Sequence, residues 1–110
     1  MKIEKVEEIL IVESVKKDLE KQKDKKLKHK LKKQLARFKE NPYHPSLNTK
    51  RYHFIKADEY ILWEIRIDRN QRAILKQDLE NGMPTGRFTV VAIGEHDILK
   101  KFFNRMKKNF

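Results

Sequence analysis

Hydrophobic spacing along this chain of 110 residues changes from strand-like to helix-like and back to strand-like. A short run rich in β-branched residues, 8–12, is typical of a first strand. Helical spacing then holds over 15–38, with a polar gap at 21–26, and its apolar positions are Val15, Leu19, Leu27, Leu31, Leu35 and Phe38. The gap is either a turn between two helices or an exposed stretch of one long helix. We favour a helical hairpin, because a single helix of this length could not stay on a small sheet.

The second half of the chain reads as strands followed by one helix. Pro42 ends the helical region, because its ring disfavours helical backbone at the residue before it. Strands are predicted over 52–55, 61–67, 72–77 and 88–93, with turns at 57–59 and 68–71 and a longer loop over 78–86. Asp97 can cap a last helix whose apolar side is Ile98, Leu99, Phe102, Phe103 and Met106. The order predicts a single α+β domain over 1–110, in which an N-terminal strand and helical hairpin pack on a mostly antiparallel β-sheet, with a C-terminal helix.

Charge narrows the class of partner. The net charge is +11, and residues 14–40 alone carry twelve basic against four acidic side chains. Such a field favours a polyanion, either nucleic acid or an acidic protein. There are no cysteines and the four histidines show no ligand spacing, so neither a disulfide nor a metal site is expected. The N-terminus has no long apolar run, which predicts a cytoplasmic protein without a signal peptide or membrane span.

Alternation in the strands places charged side chains together on one face of the predicted sheet. Glu64 and Arg66 project to the same side, while the opposite side of that strand is apolar. Arg72 and Lys76 likewise share one face of the next strand. We therefore expect one apolar face and one face of Glu, Arg and Lys, with phosphate handling as the leading reason for the second. Cross-strand ion pairing on a solvated sheet explains Glu64 and Arg66 equally well.

Three stretches of this chain resemble the RelE/ParE superfamily of toxins from type II toxin–antitoxin modules. They are the loop entering the second strand, 44–52, the arginine-bearing meander, 62–75, and the strand end, 93–97. The resemblance implies a metal-independent endoribonuclease that cleaves messenger RNA, often in the ribosomal A site, and that is neutralised by an acidic antitoxin. It also implies no cofactor.

The resemblance assigns roles to individual residues. Arg72 matches the arginine that contacts the reacting phosphate, and His96 occupies a strand-end position filled by Arg or His in relatives. Glu64 resembles the acid–base pattern of a His/Glu subgroup. Phe102 falls near the position where RelE has a catalytic tyrosine, and a phenyl ring cannot exchange protons.

Metal-free RNA cleavage uses the neighbouring 2′-hydroxyl as nucleophile, so it needs a base, an acid and cations for the phosphate. His96 is the best acid–base candidate, because imidazole titrates near neutral pH. Glu64 could be the base or could orient a histidine, and Arg66 and Arg72 could bind phosphate oxygens. The residues expected to bind RNA around this site are Lys76, His53, Lys50 and Arg51.

Two other functions fit the same pattern. One is a ParE-like module that binds and inhibits DNA gyrase without cutting anything. The other is a catalytically inactive relative that binds RNA. Because the superfamily shares one fold, the fold cannot decide among these functions.

Overall fold

The computed structural model describes residues 2–21, 25–52, 60–95, 97, 100–102 and 104–105. In chain order the elements are β1 (Glu8–Ile11), α1 (Glu13–Lys21), α2 (Lys26–Glu40), a 3-10 turn (Pro45–Leu47), β2 (Lys50–Arg51), β3 (Tyr60–Arg66), β4 (Arg72–Glu80) and β5 (Met83–Gly94). Helical residues at 97, 100–102 and 104–105 belong to a short C-terminal helix. The predicted α+β fold class is confirmed, with two helices and a mostly antiparallel sheet.

The five strands form one sheet in the order β1-β5-β4-β3-β2. The N-terminal strand β1 lies parallel to β5, and every other neighbouring pair is antiparallel. The first helix follows β1 directly: the carbonyl of Val12 accepts the backbone N–H of Val15 and of Lys16. The second helix ends at Glu40, and Asn41 before the proline is extended, as the rule for residues preceding proline predicts.

One face of the sheet, called here the helix face, packs against α1 and α2. The helical apolar positions recur three, four or eight residues apart, which places them on one side of each helix. Phe38 of α2 meets Phe88 of β5 edge to face, with ring centroids 5.0 Å apart. Trp63 is buried here and its Nε1 donates to Oε1 of Gln77 at 2.8 Å, so its polar atom is satisfied within the core. The buried helix-face side chains of β3 and β4 are Ile61, Trp63, Ile65, Ala73 and Leu75.

The prediction of a loop over 78–86 was wrong, because most of that segment belongs to β4 and β5. Asn81 and Gly82 have φ angles of 54° and 77°, and they alone join β4 to β5, whose flanking residues Glu80 and Met83 pair. Two consecutive residues with positive φ form the tight hairpin turn for which Asn-Gly is the preferred sequence. The strand predicted over 52–55 begins earlier, at Lys50, and residues 53–59 lie outside the described part of the chain.

The other face of the sheet, called here the second face, is not the uniformly charged surface that alternation predicted. Leu62 and Ile74 are buried at its centre. The side chains packed against them are Tyr52, Tyr60, Val91, Ala92 and Phe102. This small apolar cluster divides the charged residues of the second face into separate groups. Alternation itself places Leu62 on the face of Glu64, and Ile74 between Arg72 and Lys76, so the centre of this cluster was predictable. The contribution of Phe102 was not, because it comes from the C-terminal helix.

None of the helices in the described ranges is long and apolar enough to cross a membrane.

Candidate functional site

Two arginines meet at one end of the second face. Arg66, the last residue of β3, pairs with Arg72, the first residue of β4, and Arg72 pairs in turn with Gly94 at the end of β5. Arg66 is exposed and Arg72 is half-buried. The chain reaches His96 two residues after Gly94, but His96 itself lies outside the described residues. We call the three paired residues the arginine row.

The guanidinium group of Arg72 is turned toward the loop between β3 and β4. Its Nη1 donates to the carbonyl oxygens of Asp68 at 2.7 Å, Gln71 at 3.0 Å and Arg69 at 3.3 Å. Arg72 therefore fixes the turn in addition to any ligand it could bind. Arg66 makes no such contact through its guanidinium among the described residues, which leaves it the more accessible cation of the row.

A buried glutamine of α2 holds the end of β3 in place. Nε2 of Gln34 donates to the carbonyl oxygen of Arg66 at 2.8 Å and to that of Ser46 at 3.3 Å. Its Oε1 accepts from Nη1 of Arg37 at 2.9 Å. The backbone of Arg66 is thus tied to α2 and to the 3-10 turn, so the row rests on a rigid support.

The turn between β3 and β4 is organised by Asp68. Its Oδ1 accepts the backbone N–H groups of Asn70 and Gln71, both at 2.8 Å, and its Oδ2 lies 3.2 Å from Nζ of Lys30. Burial acts to raise the pKa of Asp68, but the two backbone hydrogen bonds and Lys30 outweigh it and lower that pKa below its ordinary value.

An open cleft adjoins the arginine row. It has a volume of about 470 Å³ and is lined by Arg69, Asn70, Arg72, Glu95 and Asp97. The carboxylates of Glu95 and Asp97 make its charge mixed rather than uniformly basic. A ligand phosphate in this cleft would therefore be positioned by the arginines and kept at one side by the two acidic groups.

Glu64, the proposed base, lies deeper than expected. It is only 6% exposed, and its Oε1 is buried with no hydrogen-bond partner among the described residues. The Tyr52 hydroxyl donates a hydrogen bond to this carboxylate. Burial, then the negative charge and the hydrogen bond of Glu64, raise the pKa of Tyr52 well above its ordinary value. The sequence analysis gave Tyr52 no role, although its spacing of two from Lys50 places both on the same face of the entering strand.

The residues expected to bind RNA do not all share one surface. Lys50 pairs with Glu64 and is exposed on the second face, whereas Arg51 pairs with Trp63 and so belongs to the helix face. The buried Nε of Arg51 has no hydrogen-bond partner among the described residues. Lys76 is on the second face, with its Nζ 5.7 Å from the ring centroid of Tyr60. His53 lies outside the described residues.

The exposed side of α1 and α2 is a second basic area. We define the basic helical surface as the exposed residues Lys16, Lys17, Lys21, Lys28, Lys30, Lys32 and Lys33. It lies on the side of the helices away from the core. Lys30 contacts Asp68 in the turn between β3 and β4, and Lys21 lines a cavity with Gly94, so a polyanion bound to this surface would adjoin the arginine row.

In comparisons with known proteins, no family model, no curated protein and no solved structure matches this chain.

Proposed function

We propose that this chain is a toxin of a toxin–antitoxin module, and that it cleaves messenger RNA in the cytoplasm, at the ribosomal A site, without a metal ion. The observation that carries the proposal is the arginine row. Cross-strand pairing brings Arg66 and Arg72 together at the point where β5 ends, two residues before His96. A RelE-like endoribonuclease needs such a grouping of cations beside an acid–base residue.

In the proposed reaction the 2′-oxygen attacks the adjacent phosphorus and the bond from phosphorus to the 5′-oxygen breaks. The products are a 2′,3′-cyclic phosphate and a 5′-hydroxyl. Arg66 is exposed and is the arginine that binds the phosphate oxygens. Arg72 holds the turn between β3 and β4, which lies beside Arg66. Glu64 and His96 are the candidates for proton transfer.

The basic helical surface is proposed to bind the acidic partner. Its lysines lie on α1 and α2, and Lys21 and Lys30 extend it toward the end of the sheet that carries the arginine row. An acidic antitoxin that folds on these helices would neutralise much of the +11 charge. Co-expression with such a partner should give a stable complex and restore growth.

The test is cleavage of a defined RNA by purified, folded protein, together with growth after induced expression. We expect Arg66→Ala and His96→Ala each to lose on the order of a hundred- to a thousand-fold in cleavage rate. Arg87→Ala is the matched control. Arg87 is an exposed arginine of β5 whose one ion pair, among the described residues, is a 3.6 Å contact with Glu80, and it lies about 20 Å along the strand from Gly94. Wild-type protein that neither cuts RNA nor arrests growth would contradict the proposal.

A second candidate, RNA binding without cleavage, is favoured by the burial of Glu64 and by Phe102 on the second face. It predicts an affinity that falls about a thousand-fold between roughly 50 and 200 mM salt if six cations contact phosphates, and no cleaved product. A flat salt response would exclude both candidates as nucleic-acid binders.

A further inference from the structure

The N-terminal strand lies at an edge of the sheet, with a neighbour on one side only. In the part of the chain that the structure describes, β1 pairs with β5 and with no other strand. We propose that this edge is an interface between two copies of the chain. In it, β1 of one copy pairs antiparallel with β1 of the other, about a two-fold axis that passes beside Leu10. The inference goes beyond the proposed RNA cleavage and does not rest on it.

The pairing of β1 with β5 shows which backbone groups point to the open edge. Val12 donates its backbone N–H to the carbonyl of Val90 at 3.1 Å, so this N–H points toward β5. Backbone groups of successive residues in a strand point to alternate sides. The N–H and C=O groups of Leu10 therefore also point toward β5, and those of Ile9 and Ile11 point to the open edge. Within the described ranges, neither Ile9 nor Ile11 forms a backbone hydrogen bond on that side.

Two copies of β1 match each other when the pairing is centred on Leu10. Leu10 then lies opposite Leu10 of the second copy, and Ile9 lies opposite Ile11 on either side of it. Opposite residues of an antiparallel pair alternate between those that exchange both backbone hydrogen bonds and those that exchange none. Because Ile9 and Ile11 have their backbone groups at the open edge, they form the hydrogen-bonded pairs, and Leu10 takes the position between them. This register satisfies the backbone groups that the open edge of β1 presents.

The side chains on both faces of β1 fit the same arrangement. Ile9 and Ile11 pack against the core on the helix face, so alternation places Leu10 on the second face, where it is 54% exposed. Cα atoms at a non-hydrogen-bonded position are only about 4.5 Å apart, so the two copies of Leu10 would cover each other. On the helix face, Ile9 of each copy would extend the apolar layer past Ile11 of the other. No charged side chain, a common protection of edge strands, interrupts 9–11.

Charge permits a second copy at this edge although the chain as a whole is basic. Residues 1–13 carry four acidic and two basic side chains, a net charge of −2 within a chain of +11. Glu8 lies opposite Val12 in the proposed pair, and the carbonyl of Val12 accepts the backbone N–H of Lys16. Glu8 thus approaches the start of α1 in the second copy, where Lys16 is exposed. An acidic strand from another protein would instead add carboxylates beside Glu8, so a second copy fits this edge better.

The proposed pair leaves the arginine row accessible. In the sheet, β5 and β4 lie between β1 and β3, so the arginines of the row are away from the two-fold axis. The interface would join two five-stranded sheets into one continuous sheet, with an arginine row in each half. Association of the chain and cleavage of RNA can therefore be tested separately.

Sedimentation velocity of the purified full chain tests the interface. The protein is measured from about 1 to 100 µM in about 1 M salt, where a Debye length of about 3 Å screens the repulsion between two basic chains. We expect wild type to shift from monomer to dimer over this range. Leu10→Asp places two carboxylates opposite each other and should weaken dimerisation about a hundred-fold or more. Met83→Asp is the matched control, because Met83 is 67% exposed at the start of β5, and it should dimerise as wild type does.

An introduced disulfide tests the register, because the chain has no cysteine of its own. Leu10→Cys should form a disulfide-linked dimer when oxidised glutathione is added, since two opposite Cα atoms about 4.5 Å apart are close enough for the bond. Glu8→Cys is the control. The two copies of position 8 are offset by about four residues, or about 13 Å along the strands, so this variant should remain unlinked.

A wild-type chain that stays monomeric at the highest concentration overturns the proposal. So does a dimer that Leu10→Asp leaves intact, or one in which Glu8→Cys links as readily as Leu10→Cys, because either result shows that the copies meet in another way. Circular dichroism checks that each variant keeps the fold. Should Leu10→Asp not fold, Leu10→Cys keeps a small apolar side chain at this exposed position, and the absence of its disulfide overturns the proposal.

Discussion

Gln34 gives a sharp test of how the helices support the arginine row. Its side chain is 5% exposed and joins α2 to the last residue of β3 and to the 3-10 turn. Gln34→Met keeps the length of the side chain and removes its amide. The substitution leaves the carbonyls of Arg66 and Ser46 without this donor, and Nη1 of Arg37 without its 2.9 Å acceptor.

The expected loss follows from those three contacts, since a fourth, from the Ser46 hydroxyl to Oε1 of Gln34, is long at 3.5 Å. Nη1 of Arg37 keeps a 3.3 Å contact with the hydroxyl of Ser46. A buried group left unsatisfied costs about 1–3 kcal/mol, and the weaker 3.3 Å contact belongs at the low end of that range. Part of the loss is offset, because methionine buries more apolar surface than glutamine. We therefore expect the free energy of unfolding to fall by roughly 2–4 kcal/mol, a large share of the ~5–15 kcal/mol typical of a domain. The melting temperature should fall by on the order of 10–20 °C.

Urea unfolding followed by the fluorescence of the single, buried tryptophan, Trp63, measures this loss directly. The control is Lys33→Met, the same final side chain one residue away on an exposed position of α2. It should change the free energy of unfolding by no more than about 0.5 kcal/mol. If Gln34→Met is equally mild, the amide does not hold β3 against α2, and the reasoning is refuted.

Three further predictions concern the turns and the core. The pKa of Asp68 is lowered, so ionised Asp68 stabilises the fold above its unfolded pKa of about 3.9, and this contribution is lost as pH falls through the folded pKa. Asp68→Asn should therefore be less stable than wild type at about pH 6, and the difference in free energy of unfolding should shrink toward about pH 2; a difference that stays constant with pH would be inconsistent with this. Gly82→Ala should lower the free energy of unfolding by about 1–2 kcal/mol, because an alanine is strained at a φ of 77°. The added methyl meets nothing within 4 Å, so this backbone strain is the whole cost, and thermal unfolding unchanged from wild type would argue against the tight turn. Trp63→Phe should cost roughly 1–3 kcal/mol beyond its lost volume by leaving Oε1 of Gln77 unpaired. Gln77→Leu also removes the 2.8 Å bond from Nε2 of Gln77 to the carbonyl of Thr85, so the test is a double-mutant cycle of the two substitutions in urea titrations followed by circular dichroism, and a coupling energy of zero would show that the hydrogen bond is not the cause.

The spacing of hydrophobic residues was sufficient to predict that a layer of helices packs on one sheet. The spacing of Leu27, Leu31 and Leu35 is helical, because His29 and Lys33 would share their face if the segment were a strand. The alternation around Trp63 fixes which side of β3 meets the helices. The prediction for residues 78–86 was wrong because their polar composition resembles that of a loop. Their Asn-Gly pair was evidence for a tight hairpin, since two residues of positive φ are enough to reverse an antiparallel pair.

The candidate site was predictable only as a set of residues. Alternation placed Glu64 and Arg66 on one face, but the burial of Glu64 depends on Tyr52 and on a cluster contributed by other elements. The orientation of Arg72 depends on carbonyl oxygens of the turn, which every sequence possesses. Such contacts are set by backbone geometry, and no side-chain pattern reports them.

The parallel pairing of β1 with β5 has a consequence for how the chain is made. The strand synthesised first has no neighbour until the strand ending at Gly94 exists, because only β5 lies beside it in the sheet. Until then Leu10 and its neighbours form an unpaired edge, which is the kind of segment that associates with other chains or with a chaperone. Contacts between such distant parts of a chain also slow folding. An interrupted translation product would therefore lack a completed sheet, so the arginine row exists only in a chain translated through β5.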